Sequence, residues 1–198
     1  MKRILVIIFL ISLGIKSQTT QKGSLEFVEV GSFIHSISLP FKASNGFIAL
    51  NRSPGIRIST SFPINENTFS LAYRLALSFY HQKGLHYGLH LNNQIALCYG
   101  KLSFLTPEIQ LGLGYLHIFQ DAPLYKFENG GYKRKKDWGR SQLTGSLALG
   151  FKIRISEKAR LDLTLAHQIV LQFPFAPKAD VFGILHNNTY IGLRKKIR

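Results

Sequence analysis

His35 is followed by Ser36 and Ser38, and a serine hydroxyl beside an imidazole transfers acyl groups when a carboxylate orients the ring. Nothing in the spacing fixes that geometry. By strand parity His35 falls on the outward face near the upper rim, where a polar ring at an interface is the simpler reading, so no catalytic residue is assigned. A second set has metal-ligand chemistry. His86 and His90 share one strand face with Asn92, and His186 approaches from the last strand. Residues four apart on a strand lie about 13 Å apart, too far to hold one ion together, so interior hydrogen bonding is expected and no metal or cofactor. A third set is ionic: Arg57, Arg74, Glu108, Lys152, Arg154 and Asp162 occupy the same polar face as His86 and His90. Charges removed from water demand partners, so these eight side chains predict one polar network; those nearest a mouth would be hydrated. The fourth set is a surface. Tyr125, Lys126, Phe127, Tyr132, Lys133, Arg134, Lys135, Lys136, Trp138 and Arg140 interleave basic and aromatic groups, a combination that grips phosphates while its rings rest on sugars or acyl chains.

What must hold these groups is a series of strands. In residues 160–173, Leu161, Leu163, Leu165, Ile169, Leu171 and Phe173 fall on one side of a pleat, whereas a helix would scatter them around its axis. The same period of two runs through 69–80, 85–100, 105–119 and 142–155. Weaker copies at 25–41, 55–64 and 184–197 bring the count to about eight. In the first of these, Val28, Val30 and Ile34 interrupt the series Phe33, Ile37, Leu39 and Phe41, which suggests a bulge or a later start. Leu116 and Ile118 blur the end of the 105–119 segment.

Connections are the second signal. Residues 42–54, 120–140 and 174–183 are long, whereas Asn65-Glu66-Asn67, 101–103 and Glu157-Lys158-Ala159 are short. Only the compact Gln82-Lys83-Gly84 departs from strict alternation. Outer-membrane barrels pair short periplasmic turns with long external loops, so both termini are expected in the periplasm. Parity alone does not say which face meets water, because a lipocalin-like barrel also alternates. The polar face decides. It carries Ala72, Ala76, Gly88, Ala96, Gly112, Gly114, Ser146, Ala148 and Gly150, small groups suited to a narrow interior, where a solvated surface would favour Lys, Glu and Asp. The leucine-rich face therefore points to lipid, with Phe69, Phe79, Tyr87, Tyr99, Phe119, Phe151 and Phe173 near its edges as aromatic girdles. The expected fold class is all-β, an antiparallel transmembrane β-barrel of about eight strands.

Composition agrees with export. A hydrophobic fraction of 45% excludes disorder, and the length suits one β domain. Lys2 and Arg3, the apolar run Ile4 to Ile15 and the polar Lys16 to Thr20 read as a cleavable signal peptide over residues 1–17, ahead of a barrel domain over 18–198. The run is shorter than the roughly 20 residues of a spanning helix. The single Cys98 cannot form an internal disulfide. The formal charge of +15 falls to about +12 without Lys2, Arg3 and Lys16. An exported chain rarely meets nucleic acid, so the polyanion at hand is lipopolysaccharide.

Leu25-Glu26-Phe27-Val28-Glu29-Val30-Gly31, Leu111-Gly112-Leu113-Gly114-Tyr115-Leu116-His117, Gln172-Phe173-Pro174-Phe175-Ala176-Pro177 and His186-Asn187-Asn188-Thr189-Tyr190-Ile191-Gly192-Leu193-Arg194 resemble stretches of the small eight-stranded outer-membrane barrels, in particular the Bacteroidota-type barrel proteins. The resemblance covers nearly the whole mature chain. It implies the cell outer membrane as location and the outer-membrane insertion machinery as a partner. Such barrels usually close on a terminal aromatic; this chain ends Arg194-Lys195-Lys196-Ile197-Arg198. The function expected is a non-enzymatic, structural or envelope-interaction role with a plugged lumen. A narrow porin-like channel is the alternative, and a lipid A-modifying acyl-transfer or hydrolase barrel stands third.

Overall fold

Among the described residues, eight of the ten strands close on themselves, so that no edge of the main sheet is left unpaired. The computed structural model describes residues 25–38, 52–65, 68–100, 104–121, 123–128, 130–135, 138–173 and 183–197. The segment read as a signal, nearly all of the 42–54 and 174–183 connections and the 101–103 turn lie outside those residues. The strands are β1 (Phe27–Ser38), β2 (Ser53–Pro63), β3 (Phe69–Gln82), β4 (His86–Tyr99), β5 (Leu105–Gln120), β6 (Leu124–Glu128), β7 (Gly131–Lys135), β8 (Arg140–Ser156), β9 (Leu161–Phe173) and β10 (Ile184–Lys196). The barrel runs β1-β2-β3-β4-β5-β8-β9-β10 and returns to β1, while β6 and β7 pair only with each other. Every pairing is antiparallel, and closure runs from Phe27 opposite Lys196 to Ser38 opposite Leu185. Barrel strands of 11 to 17 residues exceed the roughly 9 to 11 needed to cross a bilayer.

The pleat sorts the side chains as the alternation implies. Ile56, Ile95, Leu111, Leu113, Leu149 and Leu193 stand outside, with Leu113 72% exposed, whereas Ala76, Ala96, Gln110, Thr144, Ala148, Thr164 and Gln168 are buried within. An apolar exterior around a polar interior suits lipid outside and is the inverse of a water-soluble barrel.

Two strands differ from their sequence reading. β1 has no bulge: its register against β2 and β10 is unbroken from Phe27 to His35. Val30 and Ile34 are the outward residues, and Glu29, Phe33 and His35 point in. In β5 the alternation does not blur either; Leu116 is buried inside and Phe119 remains outside. Both strands carry apolar side chains inward, where Phe33, Tyr80, Leu116, Ala166 and Tyr190 form a small core with Ile118 against it. That cluster is why simple polarity alternation fails there. A Cβ on Gly55 or Gly88 would collide with the Phe33 or Tyr80 ring, so these two glycines make room for the large inward rings.

The connection at 120–140 is not an irregular loop. β6 and β7 form a hairpin in which Tyr125 faces Arg134, Lys126 faces Lys133 and Phe127 faces Tyr132. Gly130, between the two alternating segments, takes a φ of 79°, a conformation glycine adopts freely where the chain reverses.

Candidate functional site

Inward parity brings two chemically distinct clusters into the lumen, one in each half. In the half nearer the termini, Glu108 is the hub. Its carboxylate lies 2.7 Å from Arg74 Nη1, 2.7 Å from Lys152 Nζ and 3.7 Å from Arg194 Nη1. Cys98 Sγ donates to Glu108 Oε2 at 3.2 Å, Lys152 donates to Cys98 Sγ at 2.9 Å, and Gln110 Nε2 donates to Glu108 Oε1. The register explains the convergence: Glu108 sits beside Cys98 on β4 and Gly150 on β8, neighbours small enough to let long cations reach across. Arg57 extends the network by donating to Gln94 Oε1 at 2.7 Å and lying 4.6 Å above the Tyr190 ring, whose hydroxyl accepts from Gln110 Nε2 at 2.9 Å. Glu29 accepts from Thr164 Oγ1 at 3.2 Å. Arg57, Arg74 and Arg194 are each 4% exposed or less, as are Glu29 and Glu108. Such charges persist away from water only when paired and hydrogen-bonded.

The half of the lumen farther from the termini holds imidazoles and amides, with no carboxylate among the groups that follow. His35 Nδ1 meets Asn188 Oδ1 at 2.8 Å, and its ring stacks on Tyr80 with centroids 3.8 Å apart. His35 Nε2 faces His186 Nδ1 at 3.4 Å, and His186 Nε2 meets Gln172 Oε1. His86 Nε2 lies 3.4 Å from the Tyr80 hydroxyl, and His90 Nε2 lies 2.9 Å from Thr144 Oγ1. A cavity of about 10 Å³, room for one water, is lined in part by His35, Ser78, Tyr80, His90, His186 and Asn188.

Outside the barrel the hairpin sorts its residues by face. Tyr125, Phe127, Tyr132 and Arg134 share one side; Lys126, Glu128 and Lys133 share the other. The three aromatic rings are exposed, as is Trp138, and Phe127 packs edge-on against Tyr132 at 5.3 Å. Lys126 pairs with Glu128 at 2.7 Å. At the same end of the barrel, Asp121 Oδ2 accepts from the Gly84 backbone N–H at 2.9 Å and lies 3.3 Å from His81 Nε2. The Gly84 bond and then the His81 contact hold the Asp121 carboxyl below the usual aspartate range.

Six of the eight residues assigned to the polar network lie in these clusters: Arg57, Arg74, His86, His90, Glu108 and Lys152. Arg154 does not. It lies near the end of β8, still in register opposite Asp162, where at the mouth of the barrel it is exposed and pairs with Glu157 at 3.2 Å. Asp162 is half-buried at that mouth, opposite Arg154 and Arg194. Of the basic and aromatic set, Lys126, Lys133 and Arg134 are exposed on the hairpin and Arg140 is exposed at the start of β8. Lys135 ends β7, and Lys136 lies outside the described residues. His35 is the principal correction. It points into the lumen, 1% exposed, not outward. Its two ring nitrogens face Asn188 and His186, and Ser36 donates to the Asn187 carbonyl at 3.4 Å, so the serine and histidine do not form a dyad. Glu29, Arg194, Gln94, Gln110 and Tyr190 escaped the sequence reading. Strict parity from His186 and Asn188 through Tyr190 to Arg194 was the signal for the last strand.

Closed antiparallel pairing, spanning length, an apolar exterior and a polar buried interior define a small transmembrane β-barrel of the outer-membrane type. No family model matches the chain, and no curated protein matches its sequence. Solved structures do. Neisserial surface protein A is similar over 86% of this chain and 96% of its own, at 11% identity and a TM-score of 0.61. The Yersinia pestis attachment invasion locus protein Ail, in complex with the heparin analogue sucrose octasulfate, is similar over 88% of this chain and 99% of its own, at 9% identity and a TM-score of 0.50. The outer-membrane enzyme PagL matches over 83% of this chain and 97% of its own, at 10% identity and a TM-score of 0.49. At these identities the likeness is one of fold, the eight-stranded outer-membrane barrel.

Proposed function

We propose that this chain is a non-conducting, non-enzymatic barrel of the outer membrane, filled by its own side chains, that serves as a rigid mount for an external polyanion-contacting hairpin. The observation that carries the reading is the Glu108 hub, in which Arg74, Lys152 and Arg194 from three other strands cross the lumen to one buried carboxylate. Ion pairs of this kind fill the section that a transport path would need open. Osmotic swelling of proteoliposomes tests it: the barrel leaves small sugars excluded, and swelling above that of empty vesicles would favour the narrow channel instead.

The contact role rests on the hairpin. Lys126, Lys133 and Arg134 give it positive charge against the single Glu128, and Tyr125, Phe127 and Tyr132 form an exposed ring face. Phosphates of lipopolysaccharide suit the first and its sugars or acyl chains the second. Ail, a barrel of similar fold, was solved in complex with a heparin analogue, a precedent that supports this reading. Replacing Lys126, Lys133 and Arg134 with Ala should lower retention on lipopolysaccharide-containing vesicles. Equal retention by variant and parent would remove this part of the proposal.

A further inference from the structure

Two polar pairs stand where the barrel wall meets the middle of the bilayer. On β4 the outward row runs from Tyr87 to Tyr99, and the positions between are apolar except the midpoint, Asn93. On β9 it runs from Leu161 to Phe173, again apolar except at its midpoint, His167. Tyr73 Oη donates to Asn93 Oδ1 at 2.7 Å, and His167 Nδ1 lies 2.9 Å from Thr189 Oγ1, so each pair spans two neighbouring strands. Ser32 and Thr60 also face outward, but a single hydroxyl can turn to a backbone carbonyl of its own wall. A carboxamide or an imidazole turned toward hydrocarbon is a different matter: polar groups at that depth are costly and mark contacts with something other than lipid.

The pairs lie on opposite walls and at one level. Going round the closed sheet, β5 and β8 separate them on one side, β1 and β2 on the other. Strand partners lead from Asn93 through Leu113 and Gly145 to Leu171 in three steps. The other way, they lead through Leu75, Thr60, Val28 and Lys195 to Leu161 in five. The ten-residue offset between the two arrivals on β9 is the shear of the barrel, shared among eight steps. Three of those steps take up about four residues, so the β9 residue level with Asn93 is His167. We infer that copies of this chain associate head to tail in the membrane plane, the Tyr73–Asn93 wall of one against the His167–Thr189 wall of the next. Copies of one chain insert in one orientation, so groups meet only at equal height, as these do. A symmetric dimer about either wall covers one pair and leaves the other in lipid, whereas a head-to-tail contact covers both. With the two walls opposite, its repetition gives a straight row and not a ring. Amide and imidazole each donate and accept, so hydrogen bonds form across the seam.

The test uses the full chain in outer membranes of a Gram-negative expression host, where every copy shares one orientation. Ile95→Cys and Leu165→Cys, on differently tagged copies, put thiols at exposed outward positions of the two walls, each on the side of Asn93 or His167 nearer the termini. Oxidation of membranes carrying both variants should yield a mixed disulfide dimer, each variant alone only monomer, and the double variant a ladder. Native Cys98 is buried in the lumen, so the parent is the blank. Leu149→Cys, outward on β8 between the walls, replaces Ile95→Cys to report chance collision. Asn93→Leu and His167→Leu should each lower mixed-dimer formation about 3–30-fold, the range for a polar contact between membrane segments, without lowering the urea midpoint, since each removes a polar group from lipid. A mixed dimer no more abundant than the Leu149→Cys background overturns the inference. So does a dimer formed by either variant alone, which means a symmetric contact, and so does undiminished yield in both Leu variants. Should a Leu variant fail to fold, the comparison of mixed, single and Leu149→Cys membranes decides alone.

Discussion

Replacing Glu108 with Gln removes one charge and almost no volume, so its effect isolates the electrostatics of the lower lumen. The parent balances Arg57, Arg74, Lys152 and Arg194 against Glu29 and Glu108. Without the Glu108 charge, Arg74 and Lys152 lose their contacts at 2.7 Å, Arg194 loses its partner at 3.7 Å, and Glu29 alone faces four cations. Breaking a buried pair by deleting one partner costs about 3–5 kcal/mol, because the charge left behind stays desolvated. The upper part of that range applies, since three cations share this carboxylate. The same logic assigns the exposed Arg154–Glu157 pair no more than about 1 kcal/mol. Urea unfolding in lipid vesicles, followed by the fluorescence of Trp138, reads both quantities on one scale. Glu108→Gln should shift the midpoint strongly and Arg154→Ala hardly at all. Indistinguishable midpoints for Glu108→Gln and the parent would refute the hub as a source of stability.

Further tests address the exterior, the interior rings and the rim. Leu113, the most exposed of the outward leucines, should tolerate Met, whereas Leu113→Arg should cost about 2–4 kcal/mol in bilayers if it sits near the midplane; equal stability would mean that this face meets water. Gly88→Ala places a methyl against the Tyr80 ring and should cost about 1–3 kcal/mol, seen as a lower thermal midpoint together with loss of the Tyr80–His35 stacking shift in NMR spectra. Because the Asp121 carboxyl is held below its ordinary value, its bond to Gly84 contributes stability that is present above about pH 3.9 and is lost as pH falls through the lower folded-state value. The Gly84 amide proton shift should therefore titrate with a midpoint below 3.9, and a midpoint at or above it would contradict that assignment.

How much of this could be read from the residues differs between the wall and the contents of the barrel. The wall was legible: a pleat enforces period two, and segments such as 69–80 and 142–155 became β3 and β8 with their ends moved by no more than two residues. Where the lumen itself turns apolar, the pattern weakened. Phe33 and Leu116 fill the interior beside Tyr80, so β1 was read with the wrong parity and His35 was sent outward. Arg194 was missed because a basic chain end resembles a solvated tail, although it pairs with Glu108. The hairpin was hidden for a different reason: its aromatics and cations alternate between two exposed faces, and no burial marks either one. Which side chains meet across a lumen depends on how residues distant in sequence are brought level by register, as when Glu108 on β5 reaches Arg74 on β3. Parity supplies the direction of each side chain but not its height relative to strands that are not neighbours.

Single-channel recording in planar bilayers tests the central claim most directly, because a filled lumen and an open one differ in current whatever the physiological role. The parent barrel should insert and remain electrically silent, and a variant with both Arg74 and Glu108 changed to Ser should show discrete openings as the central ion pair gives way to water. Sustained ohmic conductance by the parent protein would contradict the account.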